Sequence, residues 1–208
     1  MDIVKKTVLY VCIAAVLWAL MFSPDMAPHV PFWPAMTLSA VLLSTLALSS
    51  GRDLRRRIRL TWIDFIAGAA VAAVLWAVFF AGDKLSSLLF RTARSSVDSI
   101  YAIKGGGSPW LLSALLLFVI GPAEEIFWRG FVQDGFGRRF GPDAAFFIAT
   151  LLYAAIHLPS GNFMLVLAAA VAGCVWGLAY RFFPERFGAI IISHALWDAA
   201  VFVWLPIM

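Results

Sequence analysis

Charge is scarce in this chain. Of its 208 residues, 13% are Asp, Glu, Lys or Arg and 62% are hydrophobic. A soluble domain is about a quarter charged and roughly half apolar. The charges here are too few to cover the apolar surface, which excludes a soluble enzyme and, with it, a disordered protein. Cysteine is nearly absent as well. Cys12 and Cys174 both sit inside apolar runs, with no CxxC or Cys/His metal spacing, so a disulfide scaffold is excluded. They read as small buried hydrophobes. The net charge of +4 and a pI near 9.4 do not indicate a nucleic-acid partner. The basic residues cluster between apolar runs, the pattern of an inner-membrane protein.

What the chain has in quantity is apolar length, with a mean hydropathy of +0.90. About twenty apolar residues cross a ~30 Å hydrocarbon layer as a helix. Seven stretches qualify as candidates: Thr7–Phe22, Pro31–Leu48, Trp62–Ala81, Trp110–Gln133, Asp143–Leu158, Phe163–Tyr180 and Phe187–Leu205. Their continuous apolar character, without a period of two, argues against an outer-membrane barrel. Lys5 and Lys6 before the first run imitate a signal peptide, but no small-residue cleavage site follows it. The expected fold is an all-α membrane protein, a polytopic bundle of about seven transmembrane helices. The connection Gly82–Pro109 carries Leu85, Leu88, Leu89, Val97, Ile100 and Tyr101 and ends at Gly105-Gly106-Gly107. Periodicity leaves an interfacial helix and a mobile loop both open there.

Lysine and arginine set the orientation. With the N-terminus cytoplasmic, the inner segments hold Lys5, Lys6, Arg52, Arg55, Arg56, Arg57 and Arg59, then Arg129, Arg138, Arg139, Arg181 and Arg186. Only Lys84, Arg91, Arg94 and Lys104 remain outside, all in the one long connection. The reading is N-in and C-out, in a prokaryotic plasma membrane. No internal repeat stands out. The first three spans hold scattered Ser and Thr, with Asp64 near the start of the third, and read as support. The last four carry the ionisable residues.

An ionisable side chain at the centre of a membrane helix costs at least ~2.5 kcal/mol on insertion scales, so each is a functional candidate. They are Glu124, Glu125 and Arg129 in the fourth span, His157 in the fifth, and His194 and Asp198 in the seventh. The remaining histidine, His29, lies in the loop after the first span and reads as a surface residue. Glu124 and Glu125 are about 100° apart on a helix and cannot both face one cavity. Glu125 and Arg129 are four apart and can pair, leaving Glu124 to point elsewhere. His194 and Asp198 share a face for the same reason. At ~1.5 Å per residue from the inner edges, Glu124 lies about 15 Å deep, His157 about 21 Å, His194 about 10 Å and Asp198 about 16 Å. One site built from three helices is feasible, with Gly121-Pro122 either opening the fourth helix beside Glu124 or merely kinking it. A carboxylate in such a pocket can take a proton from water, and histidines opposite can donate to an oxyanion, which fits peptide-bond hydrolysis. Two His plus Glu is also a zinc set, and a polar network that only joins helices is the third possibility.

Three motifs then stand out. Glu124-Glu125-Ile126-Phe127-Trp128-Arg129 resembles the EExxxR motif of the CPBP family, the CAAX-protease and bacteriocin-processing (Abi) intramembrane proteases. Tyr153-Ala154-Ala155-Ile156-His157 resembles that family's FxxxH, and His194-Ala195-Leu196-Trp197-Asp198 its HxxxN/D. The resemblance covers roughly Pro109 to Leu205. It divides the chain into N-terminal membrane helices with an interfacial connection, 1–108, and a CPBP-like helical core, 109–208. It implies that Glu124 activates water with His157, that His194 and Asp198 line the oxyanion site, and that Glu125 and Arg129 support. It favours a glutamate-dependent protease without a cofactor. The zinc version, with Glu124, His157 and His194 as ligands, is the alternative, weakened locally by the absence of an HExxH pair.

Two positions depart from the pattern. Tyr153 replaces the usual Phe, and its buried hydroxyl needs a partner. Asp198 stands where CAAX-type members have Asn; ionised, it would repel an oxyanion, so it must be protonated or orient another group. The implied substrate is a membrane-associated or lipid-anchored protein, with the bilayer as the other partner. Aromatic residues near the motifs, Phe127, Trp128, Phe131, Phe146, Phe147 and Trp197, read mainly as packing or lipid-facing. From other classes, a proton-coupled carrier would use the same Glu/His network as a relay, but no inverted repeat supports one. An idle binding protein would keep its phenotype after Glu124→Gln.

Overall fold

The computed structural model describes residues 2–50 and 54–207. Arg52, assigned to the inner side above, lies outside the described residues. The helices are α1 (Ile3–Phe22), α2 (Phe32–Leu48), α3 (Leu54–Arg57), α4 (Trp62–Leu89) and α5 (Ala93–Ala102). They are followed by α6 (Pro109–Phe140), α7 (Pro142–Ala155), α8 (Phe163–Phe182) and α9 (Phe187–Ala199). No strand occurs among the described residues.

A helix falls at each of the seven expected stretches, and six are long and apolar enough to cross a membrane. The second, α2, has 17 residues, about 25 Å at 1.5 Å per residue. The third runs further than its apolar core: α4 has 28 residues and takes in Leu85, Leu88 and Leu89, which the sequence had joined to the following connection. What remains of that connection forms the ten-residue α5, with Val97, Ile100 and Tyr101 on its inner face. Asp64 is a helix cap. The Thr61 N–H donates to its carboxylate at 2.9 Å and the Asp64 N–H donates to Thr61 Oγ1 at 3.4 Å, the two bonds of a capping box.

The outward faces of α1, α2 and α4 carry exposed Val16, Leu38 and Ile66. A bundle seated in lipid needs no polar cover there. Cys12 lies on that outer surface and Cys174 is half-buried, so neither is the buried hydrophobe that its apolar run implied. Apolarity alone does not tell a lipid-facing position from a core one. The centre of the bundle is α9, in which every residue from Phe187 to Ala199 except Leu196 is buried. A helix apolar on all sides belongs at such a centre. α6 packs against it, and Gly121 is the contact point: a Cβ there would lie 2.7 Å from Ala195 Cα and 2.9 Å from Ala195 N. Only glycine permits the two backbones to approach so closely.

Candidate active site

The segment carrying the two glutamates is an irregular part of α6. Gly121–Glu125 is ordinary α-helix, but the turns on either side, Leu116–Ile120 and Ile126–Gln133, are widened to i→i+5 hydrogen bonds. Pro122 supplies no backbone donor at that junction. Widened turns of this kind are frequent at functional sites. With the close approach at Gly121, they present Glu124 and Glu125 to α9 and α7.

Glu125 is fully buried, and its Oε1 accepts from Arg129 Nη1 at 2.9 Å, the expected i,i+4 pair. The same oxygen lies 2.6 Å from His194 Nδ1. Glu125 therefore braces α6 and also holds the imidazole of α9. Arg129 Nη2 donates to the Gly173 carbonyl at 3.1 Å, and its guanidinium lies over the Tyr153 and Trp176 rings. Trp176 stacks on His194 with 3.8 Å between ring centroids and 14° between planes, and its indole N–H donates to Ser193 Oγ. On its other edge, His194 Nε2 stands 3.4 Å from Asp198 Oδ2. The imidazole is thus fixed by a carboxylate at each nitrogen and a ring against its face.

Glu124 faces away from that network. Its Oε2 accepts from the Tyr153 hydroxyl at 3.0 Å, so the hydroxyl absent from the family's Phe has a partner. The backbone carbonyl of Tyr153 meanwhile lies 2.8 Å from His157 Nδ1. A carbonyl only accepts, so Nδ1 carries the proton. Nε2 is left as an acceptor, and the indole N–H of Trp18 donates to it at 3.2 Å. Tyr153 joins the two residues, holding the carboxylate with its side chain and the imidazole with its main chain.

Glu124, His157, His194 and Asp198 line one cavity of about 280 Å³, at the lower end of ligand-pocket sizes. All four are buried, at 7%, 7%, 2% and 6% exposure. The three-helix site expected from spacing and depth is therefore assembled in space. Glu125 and Arg129 stand behind it, and His29 is exposed in the turn after α1. Phe127, Trp128 and Phe131 are packed solid beneath it, Phe146 is buried, Phe147 is exposed, and Trp197 lines the cavity.

Residues 1–108 supply walls as well as support. Trp18, Phe22, Trp33, Phe79 and Tyr101 all line the cavity. The signal that could have found Trp18 is its indole N–H, a donor in the middle of an apolar span that must find a partner somewhere in the bundle. Trp176 carried the same signal.

As placed here, the nitrogens of the zinc set Glu124, His157 and His194 already have partners. Both nitrogens of His157 are engaged, with Tyr153 and Trp18, and both of His194 face carboxylates. Among the described residues, no group of three or more His, Cys, Asp or Glu is placed to hold a metal ion. Binding one through Glu124, His157 and His194 would first require breaking the Trp18 hydrogen bond and turning His194 from its partners.

Comparison with known proteins agrees with the motifs. The family model of the type II CAAX prenyl endopeptidase Rce1-like proteins matches residues 106–200, a span holding all three motifs. No curated protein and no solved structure matches the chain. Over residues 106–200 the chain is thus similar to the Rce1-like type II CAAX prenyl endopeptidases, the same group of CAAX-type membrane proteases that its three motifs resemble.

Proposed function

We propose that the protein is an intramembrane endopeptidase in which Glu124 activates the attacking water. The observation that carries this reading is the single cavity lined together by buried Glu124, His157, His194 and Asp198. Glu124 has one oxygen engaged by Tyr153, which leaves the other to take a proton from water. The hydroxide so formed adds to the scissile carbonyl carbon, and negative charge moves to the carbonyl oxygen. The proton held by Glu124 then passes to the departing amine as the C–N bond breaks. His157, held by the Tyr153 carbonyl at Nδ1 and by Trp18 at Nε2, walls the cavity beside Glu124 and would meet the water through Nε2 once the Trp18 contact is exchanged.

His194 and Asp198 receive the oxyanion. His194 Nδ1 faces the Glu125 carboxylate, so the donor to the oxyanion is a proton carried at His194 Nε2 or on the Asp198 carboxyl, whose atoms lie 3.4 Å apart. Glu125 fixes the ring so that the donor is aimed before the charge develops, the arrangement that makes an oxyanion site effective. The substrate is a membrane-associated protein, and the aromatic and aliphatic walls favour an apolar or lipid-bearing segment. The first test is cleavage in membranes washed with EDTA and 1,10-phenanthroline. Activity is expected to persist; loss that added zinc restores would overturn the glutamate mechanism.

A further inference from the structure

The charged ends of the helices sort onto two faces of the bundle, and the cavity belongs to only one. Arg57 pairs with Asp134 and Tyr180, Arg138 with Asp134, Arg181 with Asp143, and Arg186 with Asp64. These contacts gather the ends of α3, α4, α6, α7, α8 and α9 on one face. Lys5 and Lys6 stand at the matching end of α1, and Arg55, Arg56, Arg59 and Arg139 fall in the segments that meet there. The opposite face holds Lys84, Arg91, Arg94 and Lys104, set against Asp25, Asp83 and Asp98. Membrane proteins keep the lysine- and arginine-rich ends of their helices on the cytoplasmic side.

Between the basic face and the site the bundle is solid. Phe127, Trp128, Phe131, Val132 and Phe187 are each at most 1% exposed. Towards the other face the cavity continues past Phe22, Phe32, Asp83, Ile103 and Ile207. Its outer rim is α5, which turns Val97, Ile100 and Tyr101 inward and Ser95 and Asp98 outward, while Arg94 lies 3.8 Å from Asp83. α5 is tied to the bundle by a few polar contacts. Asn162 Nδ2 donates to the Ser96 carbonyl at 2.8 Å and to Ser99 Oγ at 3.0 Å, and the Ile207 N–H donates to Tyr101 Oη at 2.9 Å.

We infer that the hydrolytic cavity is reached from the extracytoplasmic face, beneath α5, so that its substrate is a membrane-anchored protein whose scissile segment lies on that side. The inference rests on the proteolytic reading of the cavity, while the sidedness stands on the charge distribution and the packing alone.

The test is cysteine labelling in intact cells, on the full chain with Cys12→Ser and Cys174→Ser. Single changes Arg91→Cys and Arg139→Cys report the two faces, and Ala168→Cys reports the cavity wall. A small membrane-impermeant methanethiosulfonate is expected to modify Arg91→Cys and Ala168→Cys in intact cells, and Arg139→Cys only after the cells are opened. The reverse pattern at positions 91 and 139, or modification of Ala168→Cys only in opened cells, would overturn the inference. Silence of Ala168→Cys in both preparations would overturn the route beneath α5. The same labels placed in Glu124→Gln give the sidedness without any cleavage, so failure of the proteolytic reading is told apart from failure of the route.

Discussion

Replacing Gly121 by Ala tests whether the close approach of α6 to α9 sets the catalytic geometry. The added Cβ would lie 2.7 Å from Ala195 Cα. Carbon atoms in contact prefer about 3.5–4.0 Å, so the two helices must part by roughly 1 Å. Overpacking of this kind costs about 1–3 kcal/mol, against which Ala gains about 1 kcal/mol over Gly in helix propensity. The net loss of stability is therefore small, at most about 2 kcal/mol. The effect on rate is larger, because Gly121 is three residues before Glu124 and Ala195 adjoins His194. A shift of about 1 Å at the reacting groups costs on the order of 10²-fold. The assay pairs a cleavage rate with the thermal midpoint of the protein in detergent. Gly137→Ala, on the same helix, is the control, since a Cβ there would meet only Ala145 Cβ, at an ordinary contact distance of 3.7 Å. A Gly121→Ala protein that cuts at the wild-type rate would refute the argument.

Other residues give independent checks. Trp18→Phe keeps a ring in the cavity wall but removes the donor to His157, a hydrogen bond worth about 0.5–1.5 kcal/mol, so the cleavage rate should fall roughly 2- to 10-fold; an unchanged rate would reduce Trp18 to a wall residue. Arg129→Leu leaves Glu125 buried without its cation and should destabilise by about 3–5 kcal/mol in thermal unfolding. Adding Glu125→Gln should recover much of that stability but not activity, because His194 loses its carboxylate anchor; recovery of both would contradict the anchoring role. Tyr153→Phe restores the family's residue at the cost of one hydrogen bond to Glu124, so it should lose about 1 kcal/mol of stability and keep measurable cleavage.

The sequence made the spans and the within-helix pairs readable, because both depend on local spacing. Seven helices formed at the seven apolar stretches, and Glu125 met Arg129 one turn away. Asp64 showed its limit: it was the one conspicuous acid in the first three spans, and it caps α4. Contacts between helices were not readable. Nothing in local spacing says that Glu125 also reaches His194, that Trp18 holds His157 across 139 residues of chain, or that Trp176 stacks on His194. Nor does an apolar run reveal which of its faces meets lipid, which is why Cys12 was misplaced. The end of α4 was missed because Asp83 and Lys84 interrupt the apolar run, although the helix continues through them to Leu89.

The central claim is that Glu124 performs the hydrolysis. Its most direct test is a quantitative comparison of terminal peptides in membranes from cells expressing the wild-type protein and cells expressing Glu124→Gln at matched levels. Gln keeps the shape of the side chain and removes the base. The account predicts a new protein terminus, present with the wild type and absent with Glu124→Gln, on a membrane-associated protein. The same terminus appearing in equal amount with Glu124→Gln would contradict it.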